Sequence, residues 1–348
     1  MDFFSPLLSR MLAAPAPAFE LKTLKGDASS RRYHRLTLAP GTRPRSIVVM
    51  ELPEEATRSD EVVSGAAPAE LPFLDVGRHL AAAGLRVPRI LLDAVPERAV
   101  LLEDLGDETL ERRLAARPDQ MGAWYGAAAD LLATMHARMW PMPRDSIAAT
   151  RAFDAALVRW ELDHYREWGA EALAGRPLDA GVRAALDAAF DTLTAEIAAL
   201  PVGFVHRDYQ SRNLMVIGDM PCPASLAIID FQDALAGPRV YDLVALLCDS
   251  YIEIPQALRR ATIARYAEKT GILAADLGRE FDLVAVQRKL KDGGRFVFID
   301  RVKGNPSFLP YVDRSFALVR EHLGRLPGHA ALKSALAAAA PASFEGVV

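Results

Sequence analysis

The chain has 348 residues, a length that exceeds the usual size of one domain and predicts two lobes or one large domain. Its residues are 51% hydrophobic and 25% charged, and its formal net charge is -4, as is ordinary for a soluble globular protein. Because there is no basic excess and no long Lys/Arg block, we expect no nucleic-acid partner.

The cysteines and the N-terminal segment point to a cytoplasmic protein. Cys222 and Cys248 have neither metal-ligand spacing nor the density of a disulfide framework, so we interpret them as ordinary thiols. The first residues carry Asp2 and no positive charge, and Arg10 interrupts the apolar run, unlike a secretory signal. No stretch of about eighteen uninterrupted apolar residues occurs, so no membrane span is expected.

The first hundred residues have a β-type pattern. Three short runs with Gly, Pro and Ser between them predict an antiparallel meander: AFELKTLKG (18–26), RRYHRLTLAPG (31–41) and SIVVMELP (46–53). A polar loop is predicted at 54–68 and a helix from Phe73 to Ala83. Two more strands are predicted at Ile90 to Val95 and Ala99 to Leu102.

After the acidic turn around Gly106 the apolar period changes from two toward 3.6 residues, which predicts a mainly helical region. The predicted helices are Thr109–Ala116, Met121–Met139, Ala152–Trp168, Ala180–Leu200, Arg239–Tyr251, Pro255–Thr270, Ala275–Phe298 and Pro310–Leu323. Loops and short strands interrupt them at 203–243, where LMVI and LAIID are expected to pair as a hairpin. We therefore divide the chain into a β-rich lobe (1–104), a helical lobe (105–330) and a fraying Ala-rich tail (331–348).

One segment carries the spacing of a kinase catalytic loop. His206-Arg207-Asp208 is followed by Asn213 in the pattern H-R-D-x-x-x-x-N, and Asp230 ends an apolar strand further on. For phosphoryl transfer the protein must position the acceptor hydroxyl, hold magnesium and neutralise the charge on the transferring group. We predict that Asp208 orients the acceptor hydroxyl and takes its proton, while Asn213 and Asp230 offer oxygen ligands to Mg²⁺. His206 and Arg207 are expected to brace the loop.

These motifs resemble the aminoglycoside-phosphotransferase superfamily. The similarity lies in VHRDYQSRNLMV (205–216), IIDFQDA (228–234) and GPRVYDL (237–243). Most members have Gly between the His and the Asp, and Trp after the metal-binding Asp, whereas this chain has Arg207 and Phe231. With GDASSRRYHR (26–35) and QRKLKDGGRF (287–296), these variants are similar to the anomeric N-acetylmuramate/N-acetylglucosamine kinases of bacterial cell-wall recycling.

The resemblance implies an α+β, two-lobed protein-kinase-like fold, with a small antiparallel β lobe and a larger helical lobe. It also implies that Asp242 begins a helix and fastens the catalytic loop, a structural role. LLEDLGD resembles the family's hinge, where the main chain of Glu103 and Leu105 would meet adenine. The turn containing Ser29 and Ser30 is placed to cover phosphates; an unliganded hairpin turn is the alternative.

The strand SIVVMELP departs from the kinase pattern. Kinases usually carry a lysine at the position of Met50, matching the end of V-A-I-K, to contact the α- and β-phosphates. Another cation is then needed, and Arg31, Arg32 and Arg35 are the nearest candidates; we assign Arg32 to the nucleotide site. The alternative is that these arginines only protect an exposed strand edge.

The acceptor is expected beside Asp208 in the helical lobe. Our candidate substrate contacts are Glu161, Arg207, Arg288 and Lys291. Residues 281–304 hold six Lys/Arg against three Asp, which suits a sugar acid such as N-acetylmuramate better than a polycationic aminoglycoside. Charged residues that simply face water are the alternative.

The sequence therefore predicts a kinase that uses ATP and Mg²⁺ to phosphorylate the anomeric hydroxyl of N-acetylmuramate or N-acetylglucosamine in peptidoglycan recycling. A kinase of another small metabolite or aminoglycoside would share every catalytic residue. A nucleotide-binding pseudokinase is a second alternative, because of the missing lysine. Oligomeric state and the ranking of the two sugars are left open.

Overall fold

The computed structural model describes residues 3–24, 31–53 and 70–344, and confirms the two-part α+β architecture. The N-terminal part is an antiparallel sheet of order β1-β2-β3-β5-β4. Its strands are β1 (Phe19–Leu24), β2 (Arg32–Leu38), β3 (Ser46–Glu51), β4 (Ile90–Ala94) and β5 (Ala99–Glu103). The predicted meander is confirmed, while Ser29, Ser30 and the loop at 54–68 lie outside the described residues.

One face of this sheet is covered by a helix that the sequence pattern did not reveal. Helix α1 (Phe4–Leu12) buries Leu7 and Leu8 against alternate residues of β2 and β3, including Leu36 and Val49. Because side chains alternate across a strand, Tyr33, Val48 and Met50 point to the opposite face, toward the rest of the molecule.

Helix α2 (Pro72–Ala82) joins the small lobe to the helical lobe. Its Asp75 carboxylate accepts hydrogen bonds from the Ile147 amide at 2.9 and 3.1 Å. Phe73 stacks on Phe231, with ring centroids 4.9 Å apart, and Gly77 packs directly on the Phe231 ring. The Asp75 carboxylate of α2 is thus engaged by the helical lobe. No strand lysine is available to pair with it, because the position is occupied by Met50.

The C-terminal part consists mainly of helices. They are α3 (Leu110–Ala116), α4 (Met121–Met139), α5 (Ala155–His164), α6 (Ala180–Ala198), α7 (Tyr241–Leu247), α8 (Gln256–Thr270), α9 (Ala274–Lys303), α10 (Val312–Leu323), α11 (Ala330–Ala339) and α12 (Pro341–Phe344). Helix α9 is the longest of the described helices and contacts α5, α6, α7, α8 and α10. No helix in the described ranges is long and apolar enough to cross a membrane.

Three helical predictions need correction. The predicted Ala152–Trp168 helix begins at Ala155, as α5, and continues as a π-helix over Tyr165–Ala172. In a π-helix each backbone hydrogen bond joins residues five apart, instead of four as in an α-helix. The predicted Arg239–Tyr251 helix is shorter, because the chain turns at Cys248. Up to residue 344, where the described residues end, the tail is folded and does not fray: α11 packs on α6 and buries Leu336, and Phe344 is fully buried.

Two short antiparallel ladders carry the catalytic segment. Strand β7 (Leu214–Val216) pairs with β8 (Leu226–Ile228), which confirms the predicted hairpin. Strand β6 (Val202–Val205) pairs with β9 (Leu235–Pro238), a ladder that was not predicted. The loop after β6 and the turn after β8 therefore leave the same part of the lobe and bring Asp208 and Asp230 together.

Candidate active site

The catalytic loop adopts an unusual backbone conformation that buried hydrogen bonds hold in place. Arg207 has φ 77° and Asp230 has φ 65°, in the left-handed region that non-glycine residues seldom occupy. The Asp242 carboxylate accepts from the amides of His206 (2.7 Å) and Arg207 (3.0 Å). His206 Nε2 donates to the Ile229 carbonyl at 3.1 Å, and its Nδ1 accepts from the amide of the next-but-one residue at 3.2 Å.

Asp208 opens toward solvent beside a buried guanidinium. Its side chain is 39% exposed, whereas that of Arg288 is 1% exposed. Arg288 Nη2 donates to Asp208 Oδ1 at 3.3 Å, and Nη1 donates to the Arg207 carbonyl (2.9 Å) and the Tyr241 hydroxyl (2.8 Å). Arg288 was predicted to bind the acceptor, but these bonds occupy its guanidinium within the protein. Its placement fits a positioning residue for Asp208.

Two further predicted acceptor contacts form a buried ion pair. Arg207 Nη2 lies 3.1 Å from Glu161 Oε1, and the two side chains are 3% and 0% exposed. Gln287 Nε2 donates to Glu161 Oε2 at 2.7 Å. Since burial leaves no room for a ligand at Glu161, we reassign this pair from substrate contact to support of the loop. Lys291 is also mostly buried, on the same side of α9 as Arg288.

The predicted metal ligands are adjacent to each other. Asn213 Nδ2 donates to the Asp208 carbonyl (2.8 Å) and to Asp230 Oδ2 (3.3 Å), and Gln232 Nε2 donates to Asp230 Oδ1 (2.9 Å). Asp230 is exposed to solvent. Desolvation by the surrounding protein nevertheless raises the pKa of Asp230, and repulsion by the Asp208 carboxylate raises it further, despite the bond from Gln232.

The donor set fits magnesium. Mg²⁺ binds one or two carboxylates with substrate phosphates and water, so an amide oxygen and a carboxylate suffice on the protein side. The mutual repulsion of Asp208 and Asp230 is what a divalent cation would relieve. Within the described residues no cluster of three or more His, Cys, Asp or Glu is arranged to hold a metal alone.

A second anchor of the loop was missed by sequence reasoning. The buried Asp249 accepts from the Ser211 amide (3.1 Å), the Ser211 hydroxyl and the Tyr251 amide (2.8 Å). Burial raises the pKa of Asp249, while the Ser211 hydrogen bond opposes the rise. The only available signal was an Asp following the apolar end of the helix that begins near Asp242, which is too common to single out.

The predicted hinge connects β5 to α3. The Arg86 guanidinium donates two hydrogen bonds to the Glu103 carboxylate, at 2.7 and 2.8 Å, and these bonds lower the pKa of Glu103 to about 2. The Glu103 side chain is therefore structural, and Leu105 follows it in the half-buried linker. Arg35 reaches the same linker and binds Asp104 and Asp107 at 2.8 Å. Adenine contacts by the main chain here stay a prediction.

The three arginines near β2 have different surroundings. Arg35 is held by the hinge carboxylates, and Arg32 is exposed and shares a strand face with His34, which packs near α1.

Arg31 hydrogen-bonds the Tyr33 hydroxyl, and Asp230 is near enough to affect that hydroxyl. Burial raises the pKa of Tyr33, with Arg31 lowering it and Asp230 raising it. Tyr33 pairs directly with Met50. This placement favours Arg31 over Arg32 as the substitute cation.

We expect Arg31→Ala to raise the KM for ATP about tenfold or more, because a charge-assisted phosphate contact contributes roughly 1.5–3 kcal/mol. Arg32→Ala is the matched comparison, since it removes an identical side chain one residue away on the other face of the strand. Steady-state kinetics with varied ATP measure both. A larger effect of Arg32→Ala would restore the original assignment, and no effect of either would exclude both arginines.

Two cavities lie outside the catalytic loop. One, of about 400 Å³, is lined at the hinge by residues that include Arg86, Glu103, Leu105 and Arg113, and the other, of about 440 Å³, lies between α2 and β4. Neither lining includes Asp208, Asn213 or Asp230. The catalytic loop therefore contributes to neither of these two cavities.

The fold and the loop together define a phosphotransferase. The chain belongs to the phosphotransferase enzyme family, whose sequence profile matches residues 20–279. An N-acetylmuramate/N-acetylglucosamine kinase of Pseudomonas aeruginosa is 32% identical over 330 residues, covering 92% of this chain and 89% of that relative. The kinase of the same name from Pseudomonas putida is 31% identical, covering 92% and 88%. The predicted family resemblance is confirmed.

Solved structures show the same fold at low sequence identity. Choline kinase from Cryptosporidium parvum aligns with a TM-score of 0.60 at 14% identity, covering 91% of this chain and 92% of that one. The GDP and kanamycin complex of APH(2″)-IIia aligns with a TM-score of 0.61 at 15% identity, covering 92% and 98%. The two-lobed aminoglycoside-phosphotransferase fold is thereby confirmed.

Proposed function

We propose that this protein is an ATP- and Mg²⁺-dependent kinase that phosphorylates the anomeric hydroxyl of N-acetylmuramate, N-acetylglucosamine or both, giving the sugar 1-phosphate in cytoplasmic peptidoglycan recycling. The observation that carries the proposal is the grouping of Asp208 with Asn213, which bonds its main-chain carbonyl, and with Asp230. The amino-sugar acceptor is supported by relatives named as such kinases over 92% of the chain.

The residues of the loop have distinct roles in this reaction. Asp208 accepts the proton of the C1 hydroxyl as the C1 oxygen forms its bond to the γ-phosphorus, and the bond from that phosphorus to the ADP oxygen breaks. Arg288 holds the Asp208 carboxylate in position from beneath. Asn213 and Asp230 would hold magnesium, which neutralises charge on the phosphates when bound. The anomeric hydroxyl is more acidic than an ordinary alcohol, so one positioned carboxylate suffices as base.

A panel assay tests the proposal. We expect Mg²⁺-dependent ADP release with N-acetylmuramate or N-acetylglucosamine, loss of that release with EDTA, and a sugar 1-phosphate identified by ³¹P NMR. Choline, kanamycin and a C1-blocked methyl glycoside of N-acetylglucosamine are the comparison acceptors. Equal turnover with the methyl glycoside would exclude C1 as the acceptor position, turnover only with choline or kanamycin would replace the sugar, and no turnover with any acceptor would favour a pseudokinase.

A further inference from the structure

One face of α9 carries a stripe of functional groups that begins at the catalytic aspartate. Arg288, Lys291, Arg295 and Phe298 follow one another at spacings of three, four and three residues, so they share one side of the helix. Arg288 is 1% and Lys291 is 8% exposed, whereas Arg295 and Phe298 are half-buried. The stripe therefore runs from a buried residue that contacts Asp208 to half-buried residues two to three turns further along the helix.

An aromatic surface adjoins the outer end of this stripe. Trp160, His164 and Trp168 recur every four residues along α5 and the π-helix, and all three are half-buried. Phe298 lies 5.3 Å from the His164 ring and 5.2 Å from the Trp168 ring, centroid to centroid. Trp160 stacks on His164 at 5.5 Å. The Arg295 guanidinium lies 4.9 Å from the centre of the Phe298 ring.

Close helix packing fixes the aromatic surface against the stripe. A side chain at Gly294 would lie 2.8 Å from the Tyr165 Cα atom, so glycine permits α9 and the π-helix to approach each other. At the inner end, Glu161 of α5 pairs with Arg207 of the catalytic loop at 3.1 Å. Both ends of the aromatic surface are thus tied to elements that adjoin Asp208.

The charge of the stripe selects the class of ligand. Because Asp208 engages Arg288, the cations considered for the ligand are Lys291 and Arg295, and the nearby Asp292 is engaged by Lys289 at 2.6 Å. A polycationic acceptor would be repelled here, while a carboxylate would be attracted, and arginine binds carboxylates with paired hydrogen bonds. Aromatic rings offer an apolar face to the C–H groups of a pyranose. Arg295 lies seven residues beyond Arg288, roughly 10 Å along the helix axis, a span that a sugar with a lactyl substituent can bridge.

We infer that Arg295 and Lys291 form an acceptor subsite together with the aromatic surface of Trp160, His164, Trp168 and Phe298. This subsite recognises the carboxylate of an anionic amino sugar whose C1 hydroxyl lies at Asp208. This inference rests on the proposed function and deepens it. In place of Glu161, Arg207 and Arg288, it assigns the acceptor contacts chiefly to half-buried Arg295 and the half-buried aromatic residues beside it.

Two natural sugars provide the test, because N-acetylmuramate carries the lactyl carboxylate and N-acetylglucosamine lacks it. We expect Arg295→Gln to lower kcat/KM for N-acetylmuramate about tenfold, mainly through KM, and to change that for N-acetylglucosamine by less than about twofold. Arg295→Lys should retain part of the preference. Arg301→Gln is the matched control, since Arg301 lies on the same helix with a side chain that is 61% exposed.

The outcomes separate the subsite from the reaction itself. If wild-type protein phosphorylates both sugars and Arg295→Gln affects them equally or not at all, the subsite is wrong and the kinase assignment stands. If wild-type protein phosphorylates neither sugar, both are overturned. A thermal unfolding midpoint for each variant shows whether a loss shared by both sugars comes from misfolding, which would also contradict a carboxylate-specific role.

Discussion

Asp208→Asn is expected to lower turnover by about 10²–10⁴-fold, the usual contribution of a positioned general base. Asparagine has the same shape and can still accept the Arg288 hydrogen bond, so the loop should keep its conformation. It cannot take the acceptor proton, because an amide is not a base at neutral pH. Turnover under saturating ATP and sugar measures the loss, and calorimetric titration with a non-hydrolysable ATP analogue measures nucleotide binding, which we expect to change little.

The control for this variant is Asp219→Asn, which makes the same chemical change on a fully exposed side chain. Turnover close to that of the wild type in Asp208→Asn would show that another group accepts the proton. An equal loss of nucleotide affinity and turnover would instead place Asp208 in nucleotide binding. Only selective loss of turnover supports the role of base.

The parts of the fold that follow local patterns could be predicted from the sequence. Strands β1 to β3 were recognised from short β-type runs separated by Gly, Pro and Ser, helix α4 has the predicted boundaries Met121–Met139, and the β7–β8 hairpin was recognised from two short apolar runs. Helix α1 was not predicted, because its apolar face is meaningful only once the outer face of the sheet exists to receive it.

The catalytic loop was predictable, but the roles of the charged residues around it were not. Motif spacing placed Asp208 and Asn213 in one short segment, whereas the contact of Arg288 with Asp208 joins residues 80 positions apart. Sequence reasoning interpreted Arg288 and Glu161 as ligand contacts, with exposure to water as the alternative, whereas full burial of a charged side chain is rare. They are buried here because each is paired with another buried polar group.

The second large effect concerns the buried pair of Glu161 and Arg207. Glu161→Gln is expected to lower the free energy of unfolding by about 3 kcal/mol, because it removes the carboxylate that pairs with the buried Arg207 guanidinium. Glutamine keeps the volume of the side chain, so the loss reports charge rather than a cavity. Urea unfolding followed by far-UV circular dichroism measures it, with Glu167→Gln, on an exposed residue of the neighbouring π-helix, as control.

Adding Arg207→Gly to Glu161→Gln should recover much of this loss. The glycine removes the cation that has lost its Glu161 carboxylate, and it adopts φ 77° without the cost of about 1–3 kcal/mol that a side chain incurs in a sparsely populated backbone region. Glycine is also the residue that most members of the superfamily have at this position. The double variant is therefore expected to be more stable than Glu161→Gln alone, with a coupling free energy of about 1 kcal/mol or more between the two sites. If the two changes in unfolding free energy are additive, the Glu161–Arg207 pair does not compensate for the strained backbone at Arg207. The contacts of Asp242 and Arg288 with the loop backbone would then be what stabilises its conformation.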